Sequence, residues 1–174
     1  MKGIVLGFVF VIIAIIVICV AYYVSAAYQQ TLSVSVNFED TYRYVSNLSD
    51  GNGKNKFKIE RVEISVTGSV KKDAGRNSTI IPANHVRKAV METLISHYAN
   101  CLLVQETDIF VTKENSLKKY PLVITPTLEN LSVLFFNKLS DVMPELGCQL
   151  ASVTLESEGV KVSHSRYKIS DYNV

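Results

Sequence analysis

The sequence predicts an α+β protein, in which an N-terminal transmembrane helix precedes one domain with two helices over an antiparallel sheet. Two observations support this prediction. The stretch from Gly3 to Val24 has no charged residue and consists almost entirely of Val, Ile, Phe, Ala and Leu. Downstream, segments that alternate apolar and polar residues flank two segments of helical periodicity. Hairpins with helices between them are typical of an α+β fold with an antiparallel sheet.

The apolar run is long enough to cross a bilayer. As a helix rising about 1.5 Å per residue, it covers the roughly 30 Å hydrocarbon core. Tyr22, Tyr23 and Tyr28 lie where an interfacial aromatic belt is expected. We therefore predict a transmembrane anchor over residues 1–28 and a domain over residues 29–174. A cleaved signal peptide is the alternative, although its apolar region usually has only about 7–15 residues.

The charge distribution predicts the orientation of the anchor and excludes one class of partner. Lys2 is the only basic residue before Arg43, so the positive-inside rule keeps the N-terminus in the cytoplasm. The domain is then extracytoplasmic, in the periplasm or an equivalent space, and the lipid bilayer is the first partner. The net charge is only +2, and no basic run contains interleaved aromatic residues. We therefore expect no binding to nucleic acid.

The first half of the domain has the pattern of two strands. Apolar and polar residues alternate over 32–38, which predicts a half-buried strand. A second alternation over 57–66 changes phase at Glu60-Arg61, which predicts a β-bulge within one long strand. Residues 47–55 and 71–78 are rich in Gly, Asn, Ser and Lys and are expected to form loops.

Two amphipathic helices follow. Pro82 is expected to open the first, since proline is tolerated in a first turn, and its apolar stripe comprises Val86, Ala89, Val90, Thr93, Leu94 and His97. The second begins at Thr125-Pro126-Thr127, where a threonine is the N-cap. Gly147 supplies its C-terminal stop, and its apolar face comprises Leu128, Leu131, Phe135, Leu139 and Val142.

A second hairpin completes the domain. Val153 and Leu155 mark the third strand, Glu158-Gly159 forms a turn, and Val160 and Val162 mark the fourth strand. The predicted order after the anchor is therefore ββααββ.

Several segments resemble the 6-pyruvoyl-tetrahydropterin synthase family, which includes the bacterial 6-carboxytetrahydropterin synthases. They are PTLENL at 126–131, LASVTLE at 150–156, VEISVTG at 62–68, and the spacing of an FxAxH segment at 38–42. The resemblance extends over residues 32–167 and implies the tunnelling fold, whose element order is the one predicted above. It also implies an edge-to-edge assembly of sheets into a barrel.

The same resemblance implies a degenerate member of the family. The family holds zinc with three histidines, whereas the matching positions here carry Tyr42, Lys56 and Lys58. Tyrosine is a rare zinc ligand and an ammonium group cannot coordinate a cation. We therefore expect no metal and no cofactor.

The catalytic groups of the resembled family are also absent. Its catalytic cysteine would precede residue 56, but no cysteine lies between Cys19 and Cys101. Its Asp-His pair becomes Ser96-His97, and a serine cannot stabilise an imidazolium as a carboxylate does. We expect no catalytic residue and no enzymatic activity. Cys101 and Cys148 are expected to be buried free thiols, or a disulfide if the domain is exported.

One ligand contact of the family remains. Glu156 matches the glutamate that holds the amide and amino edge of the pterin, so the resemblance implies a ligand-binding role for it. A structural strand-end acid is the alternative. Glu129 is expected to stabilise the N-terminus of its helix rather than to take part in catalysis.

These observations predict a membrane-anchored, catalytically inactive protein that serves as a structural or assembly subunit of a membrane complex. Its predicted partners are other membrane-protein subunits or further copies of itself, joined through sheet edges. One alternative is a metal-independent binder or enzyme of pterin-like ligands that uses Glu156. The other is an extracytoplasmic sensor domain.

Overall fold

The computed structural model describes residues 12–20, 29–48, 54–69, 80–109 and 117–166. The domain contains one six-stranded sheet in the order β4-β3-β1-β2-β5-β6, and the long helices cover one of its faces. The strands are β1 (Gln29–Tyr44), β2 (Lys56–Ser69), β3 (Cys101–Gln105), β4 (Lys118–Leu122), β5 (Gln149–Ser157) and β6 (Val160–Ser165). The predicted α+β class and both predicted hairpins are confirmed.

Two strands, β3 and β4, were missing from the sequence prediction. Both lie between the helices and run parallel, β3 beside β1 and β4 beside β3, so the sheet is mixed rather than purely antiparallel. The first four residues of β3 are all buried, so this strand has no alternation to detect. β4 contains two lysines and a proline, which are typical of an edge strand but obscure a strand pattern.

The predicted phase change at Glu60-Arg61 is confirmed, since Ile59 and Val62 are both buried, but the extra residues of the bulge belong to β1. Asn37 pairs with Arg61 and Thr41 pairs with Ile59, so residues 38–40 face the single residue Glu60. The bulge changes the phase of β1, so that even-numbered residues face the core before it and odd-numbered ones after it. The side chain of Arg43 is thereby turned to the helix-covered face.

A helix over residues 12–20 is α1. The first helix of the domain is α2 (Ala83–Val90), which continues through a π-helical turn, Met91–Ile95, into α3 (Ser96–Tyr98). Pro82 is its N-cap. The predicted apolar stripe is buried at four positions, Val86, Ala89, Val90 and Leu94. The stripe then ends on Tyr98, whereas His97 is exposed, contrary to the prediction. A π turn adds a residue to one turn and so shifts the positions that follow it.

The second helix is α4 (Leu128–Ser140), and its predicted cap is confirmed. The Oγ1 atom of Thr127 accepts a hydrogen bond of 3.2 Å from the backbone N–H of Asn130. Phe135 of this helix stacks on Phe38 of β1, with 5.9 Å between the ring centroids, and contacts the Tyr98 ring at 5.1 Å. These aromatic contacts join α4, α3 and the sheet into one core.

Most of the predicted anchor over residues 1–28 lies outside the described residues. Residues 12–20 form a helix, α1, with exposed apolar side chains. Within the ranges that the structure describes, no helix combines the length and the apolar character needed to cross a membrane. The single-pass anchor therefore stays a prediction.

Candidate functional site

The three positions at which the resembled family carries its zinc ligands lie together on the face of the sheet opposite the helices. Tyr42 and Lys58 are paired residues of the β1–β2 ladder, and Lys56 lies two residues before Lys58. The ammonium group of Lys56 lies 4.2 Å from the centroid of the Tyr42 ring, which is a cation–π contact. In the described part of the chain, no three His, Cys, Asp or Glu side chains are arranged to hold a metal ion.

Glu156 lies on the same open face and is held by two cations. Arg61 is its direct neighbour across β2 and β5 and donates from Nε at 2.9 Å and from Nη2 to the Oε2 atom of Glu156. Lys161 Nζ lies 3.7 Å from the same oxygen. The hydrogen bond from Arg61 holds the pKa of Glu156 below its ordinary value. Both contacts of the Glu156 carboxylate are therefore ion pairs between neighbouring strands of the sheet.

Ser96 and His97 are exposed, whereas Cys101 and Cys148 are buried. Ser96 Oγ lies 2.9 Å from His97 Nδ1 and donates to the carbonyl oxygen of Glu92 on an exposed turn. Cys101 and Cys148 are free and buried, as expected for structural thiols, and burial raises the pKa of Cys101 to about 11.

A cavity of about 670 Å³ opens on the other face of the sheet, between the C-terminal end of β1, the β5–β6 hairpin and the N-terminus of α4. Its described lining residues are Arg43, Val45, Asn47, Leu48, Phe57, Thr125, Thr127, Leu128, Glu129, Asn130, Ser157, Glu158 and Val160. The lining thus includes Ser157 and Val160, which flank the β5–β6 turn, whereas the side chain of Glu156 lies on the opposite face of the sheet.

Arg43 is the most unusual residue of this cavity. It is only 7% exposed, and its Nε atom has no hydrogen-bond partner among the described residues. Its guanidinium group lies 4.6 Å from the centroid of the Phe57 ring. Burial lowers the pKa of Arg43, while the charges of Glu129 and Glu158 oppose this shift. The group remains a cation, because an arginine keeps its proton throughout the range in which proteins fold.

Two carboxylates complete the charged lining. Glu158 is the first residue of the two-residue turn between β5 and β6, with a positive φ of 50°. The backbone N–H of Lys58 donates a long hydrogen bond of 3.5 Å to its Oε1 atom. Glu129 lies in the first turn of α4, where the helix dipole favours a negative charge, as predicted from the sequence.

Sequence reasoning missed Arg43 and Glu158 as site residues. Thr41, Arg43 and Val45 are all buried and alternate with exposed or half-exposed residues, but this phase follows from the β1 bulge, which the sequence did not indicate. An arginine at a buried position of such an alternation is a candidate for a binding site, since charged residues are rarely buried without a partner.

The sequence model of the family described as 6-pyruvoyl tetrahydropterin synthase matches residues 59–166. The chain therefore belongs to the 6-pyruvoyl tetrahydropterin synthase family, as the sequence motifs indicated.

Two solved structures share the fold. The first is the 6-pyruvoyl tetrahydropterin synthase of Caenorhabditis elegans, with a TM-score of 0.53 and 18% identity over 80% of this chain and 96% of that one. The second is an uncharacterized protein from Wolinella succinogenes, with a TM-score of 0.55 and 10% identity over 79% and 99% of the two chains. At these identities the similarity shows the tunnelling fold alone. No curated protein sequence matches the chain.

Proposed function

We propose that this chain is a catalytically inactive, membrane-anchored member of its family, and that it acts as an assembly subunit through the edges of its sheet. The observation that carries the first half is the contact between Lys56 and Tyr42. Where the family places imidazoles, two lysines and a tyrosine meet on one face of the sheet. Ammonium groups repel a metal cation and donate no lone pair to it, so this arrangement disfavours zinc chemistry.

The absence of zinc is tested by elemental analysis of the full-length chain, purified without chelator and then incubated with zinc and desalted. We expect less than stoichiometric metal in the wild type and in Lys56→Ala. A matched control is Lys161→Ala, which removes a lysine from the same face but outside the three positions. If the wild type and Lys161→Ala contain stoichiometric zinc and Lys56→Ala does not, the site at Tyr42, Lys56 and Lys58 binds zinc and the proposal is wrong.

The assembly role is supported by two strand edges. β6 lies at one edge of the sheet, because it is the last strand in the order β4-β3-β1-β2-β5-β6. β1 pairs with β3 only at Tyr42 and Arg43, so within the described ranges residues 30–37 of β1 have a strand on one side only. Unpaired strand edges attract further strands. Pairing of β6 of one copy with the first half of β1 of the next copy is a head-to-tail contact, which closes a ring if the rotation allows.

The hydrogen-bond phase of β6 identifies a residue with which to test this edge. The N–H of Arg166 donates to the carbonyl oxygen of Ala151 at 3.2 Å, and Ser165 pairs with Ser152. Hydrogen-bonded and non-bonded pairs alternate along an antiparallel ladder. The N–H of Ser163 therefore points away from β5, towards the free edge.

Ser163→Pro removes this outward donor without removing a hydrogen bond of the β5–β6 ladder. We expect the variant to reduce the mass of the assembly, measured by light scattering in mild detergent, while the circular dichroism stays that of the wild type. Ser163→Ala is the control, because it loses only the hydrogen bond that Thr154 donates to the Ser163 hydroxyl. A folded Ser163→Pro variant with unchanged mass would exclude β6 as the assembly edge.

The membrane anchor is proposed on the length of the uncharged run, and the outward orientation of the domain on Lys2. Protease protection in sealed vesicles, with tags at both ends of the chain, tests both. We expect the N-terminal tag to stay on the cytoplasmic side and the domain to be digested only from the opposite side. Release of a soluble fragment that begins near residue 27 would identify a signal peptide instead.

The two alternative functions differ in their support. A pterin-like ligand held by Glu156 would have to compete with Arg61 and Lys161 for the same carboxylate oxygen. An extracytoplasmic sensor domain has a more specific basis, because the cavity around Arg43 has both the size and the polar groups of a small-molecule site.

A further inference from the structure

We propose that the cavity beside Arg43 binds a small zwitterion with an apolar side chain, of the class represented by a free α-amino acid. Arg43 takes the carboxylate, and Glu158 and Glu129 take the ammonium group. This binding function is separate from assembly, because the cavity lies on the helix-covered face and the assembly edges lie at the sides of the sheet.

Arg43 supplies the first reason. A charged group that is removed from water is normally paired and hydrogen-bonded, since leaving it unsatisfied is costly. Arg43 is only 7% exposed as a residue, and its contact with Phe57 satisfies none of its N–H donors. Among the described residues, no acceptor lies within hydrogen-bonding distance of its Nε–H. A carboxylate is the natural partner, because it matches the fork of guanidinium donors.

The N-terminus of α4 supplies an independent reason for an anionic group at this place. This helix has 13 residues, and its N-cap Thr127 and its first-turn residues line the same cavity as Arg43. The positive end of the helix dipole and the guanidinium group therefore act in the same direction. Both favour a negatively charged ligand group in the part of the cavity that Arg43 and Thr127 line.

The charges of the lining exclude a simple anion. Among the described lining residues, Arg43 is the one cation, while Glu129 and Glu158 are carboxylates, so this set has a net charge of −1. Arg61 and Lys161, on the neighbouring strands β2 and β6, are paired with Glu156 on the opposite face. A carboxylate alone would increase the repulsion. A ligand that also carries an ammonium group adds no net charge and gives both glutamates a partner.

The shape and the apolar lining define the rest of the ligand. The apolar part of the wall comprises Val45, Leu48, Phe57, Leu128 and Val160. The volume of about 670 Å³ lies within the usual range for small-molecule sites, about 300–1,000 Å³. An apolar or aromatic side chain would cover these residues and shield the Arg43 contact from water.

The test uses three probe molecules, each of which contains a phenyl ring. The full-length chain in mild detergent is titrated calorimetrically with L-phenylalanine, with 3-phenylpropionate, which lacks the ammonium group, and with phenethylamine, which lacks the carboxylate. We expect saturable binding of L-phenylalanine and binding about 10- to 100-fold weaker for each of the other two, as is usual when a charged hydrogen-bonding partner is lost. Equal binding of either truncated probe, or no binding of L-phenylalanine at about 10 mM, would overturn the proposal.

Variants then assign the contacts. Arg43→Met should keep the apolar packing on Phe57 and weaken L-phenylalanine binding at least tenfold, and Arg43→Lys should restore binding only in part, because an ammonium group lacks the fork of donors. Glu158 lies in an exposed turn, so Glu158→Gln tests the contact between its carboxylate and the ligand ammonium group without disturbing the core. It should weaken L-phenylalanine but leave 3-phenylpropionate unchanged.

Arg61→Gln is the matched control, since it removes an arginine from the opposite face. We expect it to bind L-phenylalanine as the wild type does. Unchanged binding in both folded Arg43 variants would overturn the proposal. If Arg43→Met fails to fold, unchanged binding in Glu158→Gln would overturn it instead.

Discussion

Arg61 and Glu156 face each other across β2 and β5, and the Nε and Nη2 atoms of Arg61 both donate to the Oε2 atom of Glu156. The glutamate that resembles a ligand contact of the family is thus engaged within the sheet. Its side chain lies on the open face, while the cavity lies on the helix-covered face. In this chain the ion pair and the cavity are therefore separable by mutation.

The first prediction concerns the acid side of stability. Arg61 holds the pKa of folded Glu156 below its ordinary value of 4.5, so the pair stabilises the fold above about that pH. This contribution is lost as the pH falls through the lower pKa of the folded state. We expect Glu156→Gln to make the melting temperature less dependent on pH below about 4.5.

The measurement is a series of thermal melts from neutral to acidic pH. Arg61→Gln should flatten the same part of the profile, whereas Lys88→Gln, which removes an exposed partner of Glu92, should not. Binding of L-phenylalanine should be unchanged in Glu156→Gln. A loss of binding in this folded variant would transfer the ligand site to the open face.

The second prediction concerns the turn between β5 and β6. Glu158 and Gly159 both have positive φ values, 50° and 80°, which is the backbone of a type I′ turn. Asn is more tolerant of this conformation than Glu, so Glu158→Asn should stabilise the fold by about 1 kcal/mol. It should also weaken L-phenylalanine binding, because the shorter amide cannot replace the carboxylate. Urea unfolding at constant m-value measures the first effect.

The control is Gly159→Ala, which places a Cβ at a positive φ and should destabilise the same turn. A destabilised Glu158→Asn variant would mean that the hydrogen bond from the Lys58 N–H to Glu158 outweighs the strain of the turn. A stabilised variant with unchanged ligand binding would remove Glu158 from the proposed site.

The fold was predictable where the pattern is local. The alternations of β1 and β2, the Thr127 cap and the Glu158-Gly159 turn depend on nearby residues, and the structure has all of them. The strands β3 and β4 were missed, because they are short, and because β3 is buried on both faces.

The cavity was harder to predict than the strands. The β1 bulge decides which face Arg43 occupies, and the sequence indicated the phase change of β2, which the burial of Ile59 and Val62 confirms, but not that of β1. The contacts of Arg43 with Phe57, and of Glu158 with Lys58, cross from one segment to another. Such contacts depend on the register between strands, which hydrophobic periodicity alone does not determine.

The third prediction concerns the thiols. Burial raises the pKa of Cys101 to about 11 and also raises that of Cys148, so at neutral pH both are protonated and shielded. In a Cys19→Ser background, we expect maleimide to label the native chain slowly and to label two thiols after unfolding. The count should not change when a reductant is added. A reductant-dependent count would show that Cys101 and Cys148 form a disulfide in the cell.

The fourth prediction concerns the close approach of β2 to the segment before α2. A Cβ added at Gly68 would lie 2.4 Å from the Cγ2 atom of Ile80, which is too short for any carbon–carbon contact. Ile80 packs against the core and is only partly exposed. We therefore expect Gly68→Ala to destabilise the fold by about 1–3 kcal/mol, the usual cost of overpacking, as measured by urea unfolding.

A double-mutant cycle with Ile80→Ala identifies the cause of this loss. Ile80→Ala removes the Cγ2 atom and should itself destabilise the fold by loss of packing. Because it also makes room for the new methyl group, the double variant should be more stable than the sum of the two single effects predicts. Additive effects would show instead that Gly68 is needed for its backbone, and that the contact with Ile80 does not decide which residue fits at this position.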